Sequence, residues 1–127
     1  MKKLISIARA ARLKAYAPYS KFRVGAALEA KDGRVFTGCN VENASYGVSC
    51  CAERVALYKA VSEGARSFKR IAIVAGTPEP CPPCGICRQA LFEFSPAMEL
   101  VRAGTRGAAV VVSLRDMLPR GFHKNGQ

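Results

Sequence analysis

The sequence predicts an α/β fold, a mixed β-sheet covered by helices, and three observations carry that prediction. Helical and strand-like hydrophobic patterns follow one another as helix, strand, strand, helix, strand, helix, strand, strand, helix, and strands separated by helices need crossover connections. The chain has 127 residues, a length that suits one domain able to bury roughly two-thirds of its unfolded surface without disulfide staples. Hydrophobic residues make up 50% and charged residues 23%, which excludes a disordered tail, a collagen-like fibre and a coiled coil.

Each element has its own signal. Across residues 4–15, Leu4, Ala8, Ala11 and Ala15 recur at helical spacing with Lys and Arg between them, and Pro18 closes the segment. Phe22, Val24, Ala26 and Leu28 alternate on one face of a strand from Phe22 to Ala30. Lys31-Asp32-Gly33 supplies hairpin chemistry, and Arg34 to Cys39 reads as the returning strand. Ser49 is placed to cap a helix from Cys50 to about Glu63, closed by Gly64. Phe68 to Ala75 is apolar at its centre, as a buried strand is. A Pro-rich turn precedes a helix that starts near Cys84 and ends before Pro96. Met98 to Ala103 and Ala108 to Val112 read as two further strands, and Ser113 with Asp116 as a last helix start. No internal repeat or domain-sized linker interrupts residues 1–127, and His123 to Gln127 are expected to fray.

No run approaches the apolar length of a membrane span. Met1 to Ile5 imitates the charged start of a signal peptide, but Arg9, Arg12 and Lys14 interrupt the apolar stretch such a peptide needs. The expected location is the cytoplasm, where six cysteines are read as thiols or metal ligands before disulfides.

Two segments hold most of the chemistry. Cys50-Cys51-Ala52-Glu53-Arg54 opens one predicted helix and Pro83-Cys84-Gly85-Ile86-Cys87-Arg88-Gln89 opens another. A Cys-x-x-Cys pair has three readings: a redox couple, half of a structural zinc site, or part of a catalytic one. The redox motif belongs after a first strand, whereas this one comes late and leaves Cys51-x-Glu53 unexplained. A structural site wants four protein ligands, and Cys39, Cys50 or Cys81 could supply the fourth. A catalytic zinc keeps three and leaves a position for water. Cys51, Cys84 and Cys87 would bring three thiolates to the positive ends of two helices, with Glu53 in reach of the water as a proton shuttle. Three thiolates leave the centre electron-rich. Arg54 is placed to withdraw charge by donating to the sulfurs; its ordinary alternative is a solvated helix arginine.

The spacing Cys-x-Glu followed by Pro-Cys-x-x-Cys resembles that of the zinc nucleobase deaminases. The likeness extends through Tyr19 to Ala27, Thr37 to Gly47 and Leu118 to Phe122, all of which look like the small cytidine deaminases, in the right order over most of residues 16–122. What the resemblance implies is a three-layer α/β/α fold on a mixed five-stranded sheet, one Zn²⁺ per chain, and a homotetramer. It implies Cys51, Cys84 and Cys87 as zinc ligands and Glu53 as the acid/base, with zinc-bound hydroxide attacking C4 of the base. It further implies that Asn40 and Glu42 grip the ribose 3′-hydroxyl, that the Ala52 amide meets the pyrimidine carbonyl, and that Phe22 lines the pocket. Tyr46 and Phe122 would complete a neighbouring subunit's site. The chain departs from the usual pattern at Arg23, where Pro is common, at Cys50 beside a ligand, at Pro82, where Ser is frequent, and in the basic stretch Met98 to Gly107.

The formal net charge of +11 brings nucleic acid into consideration. The positive charge is scattered, and no stretch interleaves it with aromatics as a single-strand groove does. A carboxylate at Glu42 that accepts a 3′-hydroxyl proton would also repel a 3′-phosphate. The expected substrates are therefore free cytidine and 2′-deoxycytidine, in pyrimidine salvage, with no specific nucleic acid and no membrane as partner. A basic structural-zinc binding module and a deaminase of a cytosine-containing antibiotic are the alternatives.

Overall fold

The computed structural model describes residues 1–77, 84–118 and 121. Cys81, Pro82, Phe122 and the tail His123 to Gln127 lie outside the described residues. Helix α1 spans Lys2–Arg12, strands β1 and β2 span Val24–Ala30 and Val35–Cys39, and helix α2 spans Ala52–Ser62. Strand β3 covers Phe68–Ala75, helix α3 Gly85–Phe94, strands β4 and β5 Glu99–Ala103 and Val110–Ser113, and helix α4 Leu114–Met117. A short 3₁₀ turn at Tyr46–Val48 has no hydrophobic periodicity to announce it in the sequence.

The five strands form one sheet in the order β2-β1-β3-β4-β5. Only β3 and β4 pair in parallel, and α3 supplies the crossover that parallel pairing demands. Ala26, Leu28, Ile71, Ile73 and Leu100 pack on one face against Ala56, Leu57 and Ala60 of α2 and Leu91 and Phe92 of α3. On the other face, Ala27, Ala72, Val74 and Val101 pack against Leu4 and Ala8 of α1. This is the expected three-layer arrangement with a mixed five-stranded sheet.

Two glycines let the helices approach that closely. A Cβ at Gly25 would stand 2.1 Å from the Ala8 carbonyl oxygen, and one at Gly38 would stand 2.3 Å from the Ala52 carbonyl oxygen. The head of α2 therefore rests directly on β2, and this contact sets where its first turn points.

Several boundaries differ from expectation. Helix α1 begins at Lys2 and ends at Arg12 rather than running to Ala15. The amides of Leu13, Lys14 and Ala15 bond back to Ala10, Ala11 and Arg12, a tightened i→i−3 finish that still buries Ala15. Strand β1 starts at Val24 rather than Phe22 because a side chain replaces the ladder there: Asn40 Oδ1 accepts from the Val24 amide at 2.9 Å and Asn40 Nδ2 donates to the Phe22 carbonyl at 2.8 Å. Ser49 does not cap α2. Cys50 exchanges two backbone hydrogen bonds of 2.9 Å with Val41, which holds Cys50 extended and moves the N-cap to Cys51. The Ser49 hydroxyl instead accepts from the Asn43 amide at 2.9 Å.

Candidate active site

Both cysteine segments end where the residue types require a helix to begin, and the sheet brings the two ends together. Cys51 is the N-cap of α2 and Cys84 the N-cap of α3. Cys84 Sγ accepts from the Cys87 amide at 3.4 Å, occupying one of the donors a helix start leaves open. The sulfurs of Cys51 and Cys84 lie 3.6 Å apart and those of Cys84 and Cys87 3.2 Å apart. All three fall within 4.8 Å of one another and are the only such metal-ligating group among the described residues. Tetrahedral zinc with bonds of about 2.3 Å sets sulfurs roughly 3.8 Å apart, so the donor set fits a zinc ion in number, chemistry and spacing. Cys39 and Cys50 stand outside the cluster. Among the described cysteines, three are therefore placed to hold a metal, and Cys39 and Cys50 are not placed to add a fourth sulfur.

The electrostatics of the cluster follow from two helix heads and one arginine. Cys51 is held down at about 5, by its bond with Cys87 first, against burial, and by the Arg54 guanidinium. Arg54 Nη2 lies 3.8 Å from Cys51 Sγ. Burial opposes the charge on Arg54, yet its bonds to the Cys51 and Cys87 sulfurs lift its affinity for the proton above the ordinary guanidinium value. Cys87, buried and donating to Cys51, is pushed up. Arg54 is thus a donor to the sulfurs rather than a solvated helix arginine.

Glu53 is 5% exposed in the first turn of α2. Burial comes first, with the Cys51 thiolate adding to it, in pushing its carboxyl up to about 7. A group poised there can both take and give a proton near neutral pH.

A cleft of about 220 Å³ opens beside the sulfurs. Phe22, Asn40, Glu42, Ala52, Glu53 and the sulfur-bearing Cys51 and Cys84 line it, so the structure brings these expected site residues to one place. Asn40 commits one donor to the Phe22 carbonyl and one acceptor to the Val24 amide and keeps one of each. Glu42 Oε1 accepts from the amides of Tyr19 at 3.0 Å and Ser20 at 3.1 Å, and its Oε2 accepts from the Ser20 hydroxyl. The Ser20 bonds, led by the hydroxyl, hold the Glu42 carboxyl below the usual carboxylate range. Tyr46, by contrast, is 82% exposed on its 3₁₀ turn and does not line its own chain's cleft. Phe122 lies outside the described residues. Ser20, Val24 and Ile73 also line the cleft without having been singled out from the sequence. A serine two residues before Phe22 carries a weak turn signal that names no partner as distant as Glu42.

Known proteins agree with this geometry. The family model described as the cytidine and deoxycytidylate deaminase zinc-binding region matches residues 1–103. This chain belongs to the cytidine and deoxycytidylate deaminase family. It is 52% identical to a cytidine deaminase of Halalkalibacterium halodurans over 120 residues, covering 94% of this chain and 91% of that protein. A cytidine deaminase of Sporosarcina psychrophila is 47% identical over 125 residues, covering 98% and 92%. The crystal structure of a cytidine deaminase from Burkholderia pseudomallei superposes with a TM-score of 0.92 at 52% identity, covering 95% of this chain and 98% of that one. Membership makes the chain an enzyme of the deaminase class, which are hydrolases; the matched family region is described as zinc-binding, and Cys51, Cys84 and Cys87 stand close enough to hold one metal ion.

Proposed function

We propose that the chain hydrolyses free cytidine and 2′-deoxycytidine to uridine and 2′-deoxyuridine with release of ammonia, using one zinc per chain. The observation that carries this reading is the placement of buried Glu53 in one cleft with Cys51, Cys84, Asn40 and Glu42. Zinc bound by Cys51, Cys84 and Cys87 supplies a Lewis acid that makes water a nucleophile near neutral pH. Glu53 takes a proton from the attacking water and passes one to N3 of the base as the water oxygen bonds to C4. It then delivers the second proton to the exocyclic nitrogen, the C4–N bond breaks, and ammonia leaves. Arg54 stabilises the thiolates by donating to them. The Ala52 amide, at a helix start where amides lack intrahelical partners, is free to meet the pyrimidine carbonyl. Phe22 flanks the base, and at the ribose 3′-hydroxyl the Asn40 side-chain amide donates and the Glu42 carboxylate accepts.

Exposure of Tyr46 outside its own cleft supports the further reading that the active form is a homotetramer in which Tyr46 and Phe122 of one subunit complete a neighbour's site. We place the enzyme in the cytoplasm; among the described residues no helix is long and apolar enough to cross a membrane. The test is ammonia release from cytidine, 2′-deoxycytidine, cytosine, cytidine monophosphate and a short single strand, side by side. Turnover confined to the two nucleosides is expected, and a preference for the strand would overturn the assignment of Glu42.

A further inference from the structure

Glu42 has its backbone pinned: its amide donates to the Tyr16 carbonyl at 2.8 Å, and two residues earlier the Asn40 carbonyl accepts from the Tyr16 amide at 3.0 Å. The carboxylate is then gripped from the other side by the turn over residues 17–21. The Lys21 amide donates to the Ala17 carbonyl at 3.0 Å, and Lys21 adopts φ of 60°, a left-handed conformation that a lysine rarely takes. That turn aims the amides of Tyr19 and Ser20 and the Ser20 hydroxyl at one side chain. An ionised carboxylate has about four acceptor positions. Two on Oε1 are taken by amides and one on Oε2 by the hydroxyl. One position, on Oε2, remains. The same Ser20 oxygen accepts from the Phe22 amide at 3.0 Å, so it is fixed in turn and lines the cleft together with Phe22 and Glu42.

We infer that Ser20 is a positioning residue for sugar recognition: it orients the Glu42 carboxylate so that a single acceptor position is left for a single hydroxyl of the bound nucleoside. The inference rests on the reading of Glu42 as the group that grips the ribose 3′-hydroxyl. It accounts for a polar turn held in a strained conformation beside the cleft, and it makes a serine rather than the carboxylate alone responsible for the geometry of the grip. A carboxylate released from Ser20 would rotate, and its bond to the sugar would weaken while the reacting end of the substrate stayed in place.

The experiment compares the zinc-loaded wild type, Ser20→Ala and Ser20→Thr on cytidine and on 3′-deoxycytidine, with unfolding temperature and zinc content measured alongside. The wild type should handle 3′-deoxycytidine with a higher KM than cytidine. Ser20→Ala should raise KM for cytidine roughly tenfold, the scale of one hydrogen bond to a charged group, with kcat and KM for 3′-deoxycytidine little moved. Ser20→Thr, which keeps the hydroxyl at an exposed site, should restore the difference between the two substrates. An equal rise in KM for both nucleosides would mean that Ser20 acts through Phe22 or the general structure, and the inference falls. An undiminished preference in Ser20→Ala also defeats it and leaves Glu42 standing. A wild type that does not distinguish the two nucleosides removes the reading of Glu42 itself.

Discussion

Glu53 and Arg54 are neighbours in the sequence with opposite environments, and the contrast explains how one helix turn can hold both negative sulfur and a proton carrier. Arg54 reaches back toward Cys51, whereas Glu53 is turned inward and nearly sealed from solvent. Burial costs a carboxylate its charge, so Glu53 holds a proton more readily than a surface glutamate. Glu53→Gln keeps the shape and removes the proton transfer. It should retain zinc by metal analysis and lose ~10²–10⁴ in turnover; near-normal turnover would remove Glu53 from the mechanism. Cys84→Ala takes away one of three ligands and should lose zinc and activity together, read by the same metal analysis. Arg54→Ala should cost roughly 10–100-fold in zinc affinity or activity, as loss of a group that supports a ligand commonly does. Zinc affinity equal to that of the wild type, with unchanged turnover, would return Arg54 to the role of a surface helix residue.

At the scale of the element, the proposed mechanism depends on where α2 begins. The bridge between Val41 and Cys50 stops the helix from starting early, and Gly38 lets its first turn lie against β2. Any Cβ at position 38 meets backbone, not a flexible side chain, so the helix must move. Gly38→Ala should therefore lower stability by about 1–3 kcal/mol, the usual cost of overpacking. It should also depress activity well below the unfolding temperature, because the displaced turn carries Cys51 and Glu53. Gly47→Ala is the control for packing within the chain: nothing in the chain stands within 4 Å of a Cβ there, and the unfolding temperature should hold. Equal thermal melts for the two variants, with Gly38→Ala turning over like the wild type, would show that the α2–β2 contact does not position the site.

For the whole molecule, the open question of shape is how a small chain encloses a nucleoside. The cleft is lined mainly by the turns entering β1, the segment after β2 and the heads of α2 and α3, while Tyr46 is exposed and lies outside that lining. In the proposed homotetramer, such aromatic residues of one chain cover a neighbour's cleft. Light scattering should give four times the chain mass, and Phe122→Ala or truncation after Pro119 should raise KM and weaken assembly while zinc stays bound. An active monomer would refute the assembly and leave the chemistry intact. With +11 on each chain, assembly should loosen as salt is lowered, since like charges are then least screened.

The sequence by itself determined the α/β class, the order of helices and strands and the placing of two cysteine segments close to helix starts, because alternation, helical spacing and Cys-x-x-Cys are local patterns that the backbone reads directly. Glu53 was legible from its place two residues after Cys51, and Asn40 and Glu42 for another reason: the stretch Thr37 to Gly47 resembles that of the small cytidine deaminases. The tertiary structure alone decided what depends on partners far apart in the chain. The start of α2 at Cys51 is imposed by Val41, the start of β1 by the Asn40 side chain, and the orientation of Glu42 by Ser20, which lies 22 residues away. Hydrogen bonds of that kind leave no periodicity in the sequence. They exist only once the sheet has brought the turn before β1 alongside the segment that follows β2.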